Sequence, residues 1–259
     1  MTPVAQTPTA DRQRPASTFG CLILHGFTSS LDSVRPLVPM AEQLGLPYRM
    51  PTLRGHGTQY TDLKGVQAKD WYADGLAALR DLRREVDQVF VCGLSMGGLV
   101  ALQLAAENQA DIAGVVGIAA ALRFTAPTAW LSPFLWRTIP TSPIDIRLAF
   151  TDQRLAANNK NYTRFTTDSF ASLYRYTSVV EQLLPRVVAP LLLIHGRKDR
   201  VIRPRASEII YNKAGSQRKE LRWFEESGHE MLMDCEGPGV VAATETFIRT
   251  ISVPPQEAK

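Results

Sequence analysis

The sequence has few cysteines, and their arrangement excludes two classes of small, crosslinked protein. Among 259 residues there are three cysteines, Cys21, Cys92 and Cys235, an odd number without the close spacing of metal-binding pairs. A disulfide framework and a zinc site are therefore excluded. Cys21 and Cys92 lie in apolar, strand-like runs, which predicts buried free thiols and favours a reducing, cytoplasmic location.

The chain also lacks a block of charge of one sign, a glycine-rich phosphate loop and a long apolar run. Its net charge of +4 is spread over the chain, and the basic clusters at 80–85 and 197–200 are interrupted by acidic residues. We therefore expect no nucleic-acid partner, no cofactor and no metal. No apolar run reaches membrane-spanning length, so stable membrane insertion is not expected. Residues 1–18 lack the apolar segment of a signal peptide and predict a disordered leader.

What the sequence does have is a regular alternation of short apolar runs with helical patterns. The runs that predict strands lie at residues 19–24, 48–50, 89–92, 114–120, 190–196 and 221–224. Continuous apolar strands that alternate with helices are typical of an α/β fold with a mostly parallel, doubly wound sheet flanked by helices. The length fits one domain, residues 19–259, that carries an insertion.

One stretch, residues 89–102, joins an apolar run to a helical pattern through Gly93-Leu94-Ser95-Met96-Gly97. This is the context of a nucleophile elbow, a strained turn that lifts a serine hydroxyl clear of the sheet. Glycine is required two positions before and two positions after Ser95, because only a residue without Cβ fits there. The turn also leaves the N–H of Met96 unpaired at a helix N-terminus, facing a developing oxyanion. The alternative is an ordinary strand-to-helix turn with a bystander serine, and the flanking strand and helix favour the nucleophile.

A nucleophilic serine needs a base to take its proton, and the sequence offers four histidines. His25 and His56 precede Ser95 in glycine-flanked loops. His195 lies at the end of an apolar strand, where a hydrogen-bonded structural role is the more common one. His229 lies in a polar loop after the last strand, and we therefore predict that it is the base.

The base in turn needs an acid to hold its tautomer, and Asp199 lies in a loop one strand before His229. Ser95, Asp199 and His229 follow one another in the chain order that this elbow uses. The alternatives are that Asp199 is a surface acid paired with arginine, or that a glutamate close in sequence to His229 replaces it. The residues concerned are Arg197, Arg200, Glu225 and Glu226.

The strand and helix pattern breaks after Ala120, and 70 residues separate it from the next clear strand at Leu191. A parallel crossover needs only about a dozen residues. The insertion, about residues 121–180, is rich in aromatic residues and predicts a cap over the site. A helix there could present Trp130, Phe134, Leu135 and Trp136 on one face, and we expect Trp130, Phe134 and Trp136 to contact the substrate. The alternative is a satellite hydrophobic cluster without a role in substrate binding.

These features together resemble the α/β-hydrolase superfamily, and within it the small bacterial carboxylesterases and monoacylglycerol lipases. The resemblance spans nearly all of residues 21–250. Besides the elbow, Asp199 and Gly228-His229, its motifs are His25-Gly26-Phe27-Thr28, Leu53-Arg54-Gly55-His56-Gly57-Thr58, Asp70-Trp71 and Leu183-Leu184-Pro185-Arg186-Val187.

The resemblance implies an oxyanion hole made by the N–H groups of Phe27 and Met96, with Gly26 beside the substrate. It also implies a small cap inserted after the sixth strand. The short segment before residue 19 leaves little room for the antiparallel hairpin with which many larger members begin.

We therefore expect a serine hydrolase that cleaves carboxylic esters through an acyl-enzyme on Ser95. Its small-molecule substrates would be short- to medium-chain acyl esters or monoacylglycerols. One alternative is a hydrolase of another acyl bond, such as an amide, thioester or C–C bond, because a triad and an oxyanion hole serve any acyl transfer. The other is a ligand-binding homologue without catalytic activity.

Overall fold

A computed structural model describes residues 19–252, and a six-stranded sheet forms its centre. The strands, in chain order, are β1 Phe19–Leu24, β2 Tyr48–Arg49, β3 Gln88–Leu94, β4 Ile112–Ile118, β5 Thr141–Pro143, β6 Arg164–Thr166, β7 Leu191–Gly196 and β8 Lys219–Phe224. The central sheet has the order β2-β1-β3-β4-β7-β8, and each neighbouring pair in it is parallel. The predicted α/β fold is confirmed. The predicted leader, residues 1–18, lies outside the described residues.

Helices cover both faces of this sheet. In chain order they are α1 Val38–Gln43, α2 Ala68–Leu82, α3 Met96–Glu107, α4 Ser132–Leu135, α5 Gln153–Ala156, α6 Thr167–Leu183, α7 Arg205–Lys213 and α8 Gly237–Ser252. Buried residues of α2, α3, α6 and α7 form one core cluster, and those of α1 and α8 form a second. The sheet is therefore doubly wound.

The central strands are apolar throughout because both of their faces are covered. Along β3, Val89 and Val91 belong to one core cluster, whereas Phe90, Cys92 and Leu94 belong to the other. Such strands read as continuous apolar runs, which is why they were visible in the sequence.

Two of the three cysteines face each other across neighbouring strands. The Sγ atoms of Cys21 and Cys92 lie 4.0 Å apart, and both residues are buried free thiols as predicted. No helix among residues 19–252 combines the length and the apolar character that crossing a membrane requires.

The insertion leaves the sheet after β4 and returns to it at β7. In the described residues the cap thus follows the fourth strand along the chain, not the sixth. The predicted count of six is therefore wrong for the described residues, in which β1 to β4 precede the insertion. The cap consists of the short helices α4 and α5 and the antiparallel pair β5–β6.

The predicted end of the insertion, at about residue 180, falls inside a helix. Helix α6 spans Thr167–Leu183, and its residues Leu173, Tyr176 and Val180 are buried in the same core cluster as α3. This helix therefore belongs to the layer that covers the sheet. The segment that overhangs the sheet ends before it, near residue 166.

Candidate active site

Ser95 occupies the turn between β3 and α3, with φ 55° and ψ −114°. A positive φ is costly for a residue with a Cβ, and such backbone conformations concentrate at functional sites. Hydrogen bonds hold the turn in place. The Ser95 N–H donates to the Ile118 carbonyl at 2.9 Å, and the Ser95 carbonyl accepts from the N–H of Gly98 at 3.0 Å.

The glycines two positions before and after Ser95 are sterically required, as predicted. A Cβ at Gly93 would lie 2.2 Å from the Gly97 carbonyl oxygen, and a Cβ at Gly97 would lie 2.3 Å from the Leu24 carbonyl oxygen. Both contacts are with backbone and cannot be relieved by moving a side chain. The chain can therefore pass through this turn only with glycine at both positions.

The structure brings together the three side chains that the sequence predicted as nucleophile, base and acid. Ser95 Oγ lies 3.0 Å from His229 Nε2, and His229 Nδ1 lies 2.8 Å from Asp199 Oδ2. All three residues are buried, with at most 8% of any one exposed. An ionised carboxylate only accepts hydrogen bonds, so Nδ1 of His229 carries the proton and Nε2 accepts from the serine hydroxyl.

Asp199 is held from two sides. Its Oδ1 accepts hydrogen bonds from the N–H groups of Val201 and Ile202, each at 2.8 Å. Burial by itself would raise the pKa of Asp199, but the charge of His229 and hydrogen bonds from His195 and His229 outweigh burial. The pKa of this carboxyl therefore lies well below its usual range, and Asp199 is ionised wherever the protein is folded at ordinary pH.

The alternative partners considered for this site are engaged elsewhere. Arg197 lies over the Trp223 ring at 3.8 Å and pairs with Glu225 at 3.7 Å. Arg200 donates to the carbonyl of Arg147 at 3.0 Å, and Glu226 pairs with Lys198. None of these contacts involves Asp199.

The protonation of His229 is controlled by its carboxylate neighbour. Burial would lower the pKa of His229, but the charge of Asp199 and the hydrogen bond to it act in the opposite direction and prevail. The pKa of His229 is consequently raised above the ordinary imidazole value. An imidazolium at this position is thus stabilised, which is what a base that receives a proton during a reaction requires.

Two backbone N–H groups next to Ser95 have no hydrogen-bond partner among residues 19–252. They belong to Phe27, in the loop after β1, and to Met96, the first residue of α3. The first N–H groups of a helix have no intrahelical acceptor, and they attract negative charge. Gly26 lies against the serine, since a Cβ there would be 3.1 Å from Ser95 Cβ.

Sequence reasoning gave no role to the two histidines that hold this loop. Leu53 donates its N–H to His25 Nε2, and Thr28 donates its N–H to His56 Nε2, both at 3.0 Å. Burial lowers the pKa of His25 to about 4 and that of His56 to about 3, so both rings are neutral acceptors. The loop after β1 is thereby fixed to residues 53–56. The signal was available in the sequence, where both histidines lie in glycine-flanked motifs.

A cavity of about 590 Å³ opens over Ser95 and His229 beneath the cap. This volume is within the range of small-molecule sites. Its wall is largely apolar and includes Phe27, Leu131, Leu135, Ile139, Phe165 and Phe170.

Three residues nominated for substrate binding lie outside the cavity wall, and the prediction for them is corrected. Trp130 and Phe134 are 56% and 73% exposed. Trp136 is half-buried, with the guanidinium of Arg137 4.9 Å from its ring centre. Of the four residues predicted to share a helical face, Leu135 lines the cavity, and it is joined there by Leu131, which was not assigned to that face. Spacing gives the period of a helix but does not say which face is inward.

Comparison with known proteins identifies the family of this chain. The family model described as serine aminopeptidase, S33, matches residues 18–236. The thermostable monoacylglycerol lipase of Bacillus sp. (strain H-257) is 31% identical over 230 residues, 88% of this chain and 89% of that one. The carboxylesterase of Bacillus subtilis (strain 168) is 24% identical over 216 residues, 83% and 86% of the two chains.

Solved structures have the same architecture. A structure reported for the metagenome-derived lipolytic enzymes LipS and LipT has a TM-score of 0.81 at 32% identity, covering 90% of this chain and 94% of that one. The monoacylglycerol lipase of Paleococcus ferrophilus has a TM-score of 0.78 at 18% identity, covering 92% and 98%, which shows the shared fold.

The chain therefore belongs to the serine aminopeptidase S33 family of α/β-hydrolases, and the predicted resemblance is confirmed. Within that family it is an ester hydrolase, similar to the lipases and carboxylesterases named above.

Proposed function

We propose that this ester hydrolase cleaves short- to medium-chain acyl esters or monoacylglycerols through an acyl-enzyme on Ser95. The observation that carries the proposal is the hydrogen-bonded series Ser95–His229–Asp199 at the floor of an apolar cavity. A cavity of this kind accommodates an acyl chain, and the serine lies where the ester carbonyl would come to rest.

In the first half of the reaction Ser95 Oγ attacks the ester carbonyl while His229 Nε2 accepts the hydroxyl proton. Asp199 keeps the proton on Nδ1 and stabilises the imidazolium that forms. The negative oxygen of the tetrahedral intermediate accepts hydrogen bonds from Phe27 and Met96. His229 then gives its proton to the leaving alcohol, and the acyl group remains on Ser95.

The second half repeats these steps with water. His229 accepts a proton from the water that attacks the acyl-enzyme, and it returns that proton to Ser95 Oγ as the carboxylic acid leaves. The free enzyme is thus regenerated with no net change in protonation.

Other acyl bonds and a binding role without catalysis are the competing functions. A panel of p-nitrophenyl esters with acyl chains of increasing length, together with the matching p-nitroanilides and thioesters, discriminates among them. We expect turnover of esters to exceed turnover of anilides and thioesters. A preference for anilides or thioesters would contradict ester specificity, and binding without turnover of any member would contradict the catalytic role.

The raised pKa of His229 leads to a prediction about pH. His229 acts as a base only when neutral, so kcat/KM should rise with pH through an apparent pKa above about 6.5, the ordinary imidazole value. In Asp199→Asn the charge that raises this pKa is gone, and the residual activity should have its acid limb at lower pH. Stopped assays with one neutral ester across pH 5–9, a range of about four units around that value, locate the acid limb of each of the two proteins. An acid limb of the wild type below 6, roughly half a unit under that reference, or the same limb in both proteins, would contradict this assignment.

The cavity wall predicts how activity depends on acyl length. Each methylene buried contributes about 0.8 kcal/mol, roughly fourfold in kcat/KM, until the cavity is full. Leu131→Trp fills part of the cavity, so the optimum should move to shorter acyl chains while an acetate ester keeps most of its rate. The measurement is kcat/KM against acyl length.

The neighbouring residue supplies the matched control. Trp130→Leu exchanges the same two residue types on the exposed side of the cap, where 56% of the side chain meets solvent. We expect this variant to keep the wild-type profile. Equal losses of acetate and octanoate activity in Leu131→Trp would show that the cap supports the catalytic geometry and does not set the preferred acyl length.

A further inference from the structure

A second histidine contacts the carboxylate that we propose orients the base. His195, near the end of β7, is completely buried, and its Nε2 lies 3.1 Å from Asp199 Oδ2. This is the same oxygen that His229 Nδ1 contacts at 2.8 Å. On the other side of the His195 ring, Nδ1 lies 2.7 Å from Oγ of Ser207 in α7.

The chemistry of these groups fixes where the protons are. Asp199 is ionised and only accepts, so His195 Nε2 must carry a hydrogen to make this contact. With the single ring hydrogen on Nε2, Nδ1 accepts from the Ser207 hydroxyl. His195 Nε2 also lies 3.4 Å from the Ile202 carbonyl oxygen, so its hydrogen is shared between that carbonyl and Asp199 Oδ2. With this shared hydrogen included, four N–H groups lie within 3.1 Å of the carboxylate, two at each oxygen. A carboxylate offers about four such positions, so none is left free.

We infer that His195 is a positioning residue, whose Nε2–H fixes the Asp199 carboxylate and shares its charge between two imidazoles. The inference rests on the proposed function, in which Asp199 acts on Ser95 through His229. The sequence favoured a structural role for His195, and the contact with Asp199 Oδ2 extends that role to the reaction.

Two consequences follow if the His195 contact is lost. One position of a buried carboxylate is left without a donor, so the carboxylate is held less firmly in the orientation in which it contacts His229, which lowers kcat. The remaining charge then acts on His229 alone, which favours its imidazolium and moves the acid limb of kcat/KM to higher pH. The other charged or titratable groups near the His229 ring are Glu230, which accepts from Asn161 at 2.7 Å, and Arg200 on the cavity wall. Neither contacts His195.

Two amide variants separate the contact with Asp199 from the packing of the ring. In His195→Gln the side-chain NH₂ reaches the position of Nε2 and can still donate to Asp199. In His195→Asn the amide reaches only the position of Nδ1, so the contact with Ser207 is kept and that with Asp199 is lost. Both variants remove the aromatic ring, so an effect of ring packing would appear in both.

We expect His195→Asn to lower kcat about tenfold, as for loss of a hydrogen bond to a charged group. KM should stay near the wild-type value, and the acid limb should move to higher pH. His195→Gln should recover most of kcat and the wild-type limb. Ser207→Ala, a smaller change, removes the donor that fixes the His195 tautomer and should lower kcat by about fivefold in the same manner.

The three variants are compared with wild type and Ser95→Ala by kcat, KM, pH profile and thermal unfolding. Equal activity in His195→Gln and His195→Asn, or an unmoved acid limb in Asn, would overturn the positioning role. Should His195→Asn fail to fold, Ser207→Ala decides by the same readouts. Retention of the ester hydrolysis rate in Ser95→Ala would instead overturn the proposed function, so the two failures are distinguishable.

Discussion

Replacing Ser95 with alanine is expected to lower kcat for esters by roughly 10⁴–10⁶-fold while the protein remains folded. The substitution keeps the Cβ that the turn accommodates at φ 55° and removes only Oγ, the atom that would bond to the acyl group. The residual rate would come from substrate binding and from the N–H groups of Phe27 and Met96. The measurement is initial rate on a p-nitrophenyl ester, with thermal unfolding as the check on folding.

The size of the effect depends on Ser95 and His229 acting as one unit. His229→Ala alone should cost about as much as Ser95→Ala, and the double variant should cost little more than either. Ser216→Ala is a matched control, since it removes the hydroxyl of another buried serine, bonded to the Arg218 carbonyl and outside the cavity wall. It should retain wild-type kcat. Near-normal activity in Ser95→Ala would end the assignment of the nucleophile.

Asp199→Asn should be the next most damaging change, with kcat reduced by about 10⁴-fold. If the asparagine amide faces His229, its NH₂ donates where a carboxylate accepts, and His229 is driven to the tautomer that cannot take the serine proton. If the amide is turned round, its NH₂ faces the N–H groups of Val201 and Ile202, which now bond to Oδ1 at 2.8 Å. Either orientation also removes the charge that stabilises the imidazolium.

The control for this variant is an acid that forms an ion pair away from the cavity. Asp81→Asn removes a carboxylate of α2 that pairs with Arg49 of β2 at 2.7 Å, and neither residue lines the cavity, so kcat should be unchanged. Full activity in Asp199→Asn would shift attention to Glu225 or Glu226, although both pair with basic residues of the Asp199 loop.

The elbow was readable in the sequence because its requirements are steric and local. A Cβ added at Gly93 or at Gly97 would lie within 2.5 Å of a backbone oxygen, so no residue type other than glycine fits at either position. The positions of Asp199 and His229 followed from a second regularity, that loops at the carboxyl ends of parallel strands meet at one edge of the sheet. These two rules account for most of the candidate site.

The cap was less predictable because its elements are short. Helix α4 has four residues, Ser132–Leu135, too few for a pattern to show which side faces the cavity. Of the predicted face, Leu135 lines the cavity and the three aromatic residues do not. The role of His195 was hidden for a different reason. Its partner Ser207 lies on the following helix, and only the folded chain shows that Asp199 Oδ2 is shared between two imidazoles.

The proposed reaction depends on a covalent acyl-enzyme at Ser95. The most direct measurement is to incubate the protein with a fluorophosphonate, which reacts with activated serines, and to locate the adduct by intact mass and peptide mapping. We expect one adduct per chain, on the peptide that carries Ser95, with no adduct in Ser95→Ala and slow labelling in His229→Ala. Labelling of Ser95→Ala at the wild-type rate, or an adduct on another residue, would contradict this proposal.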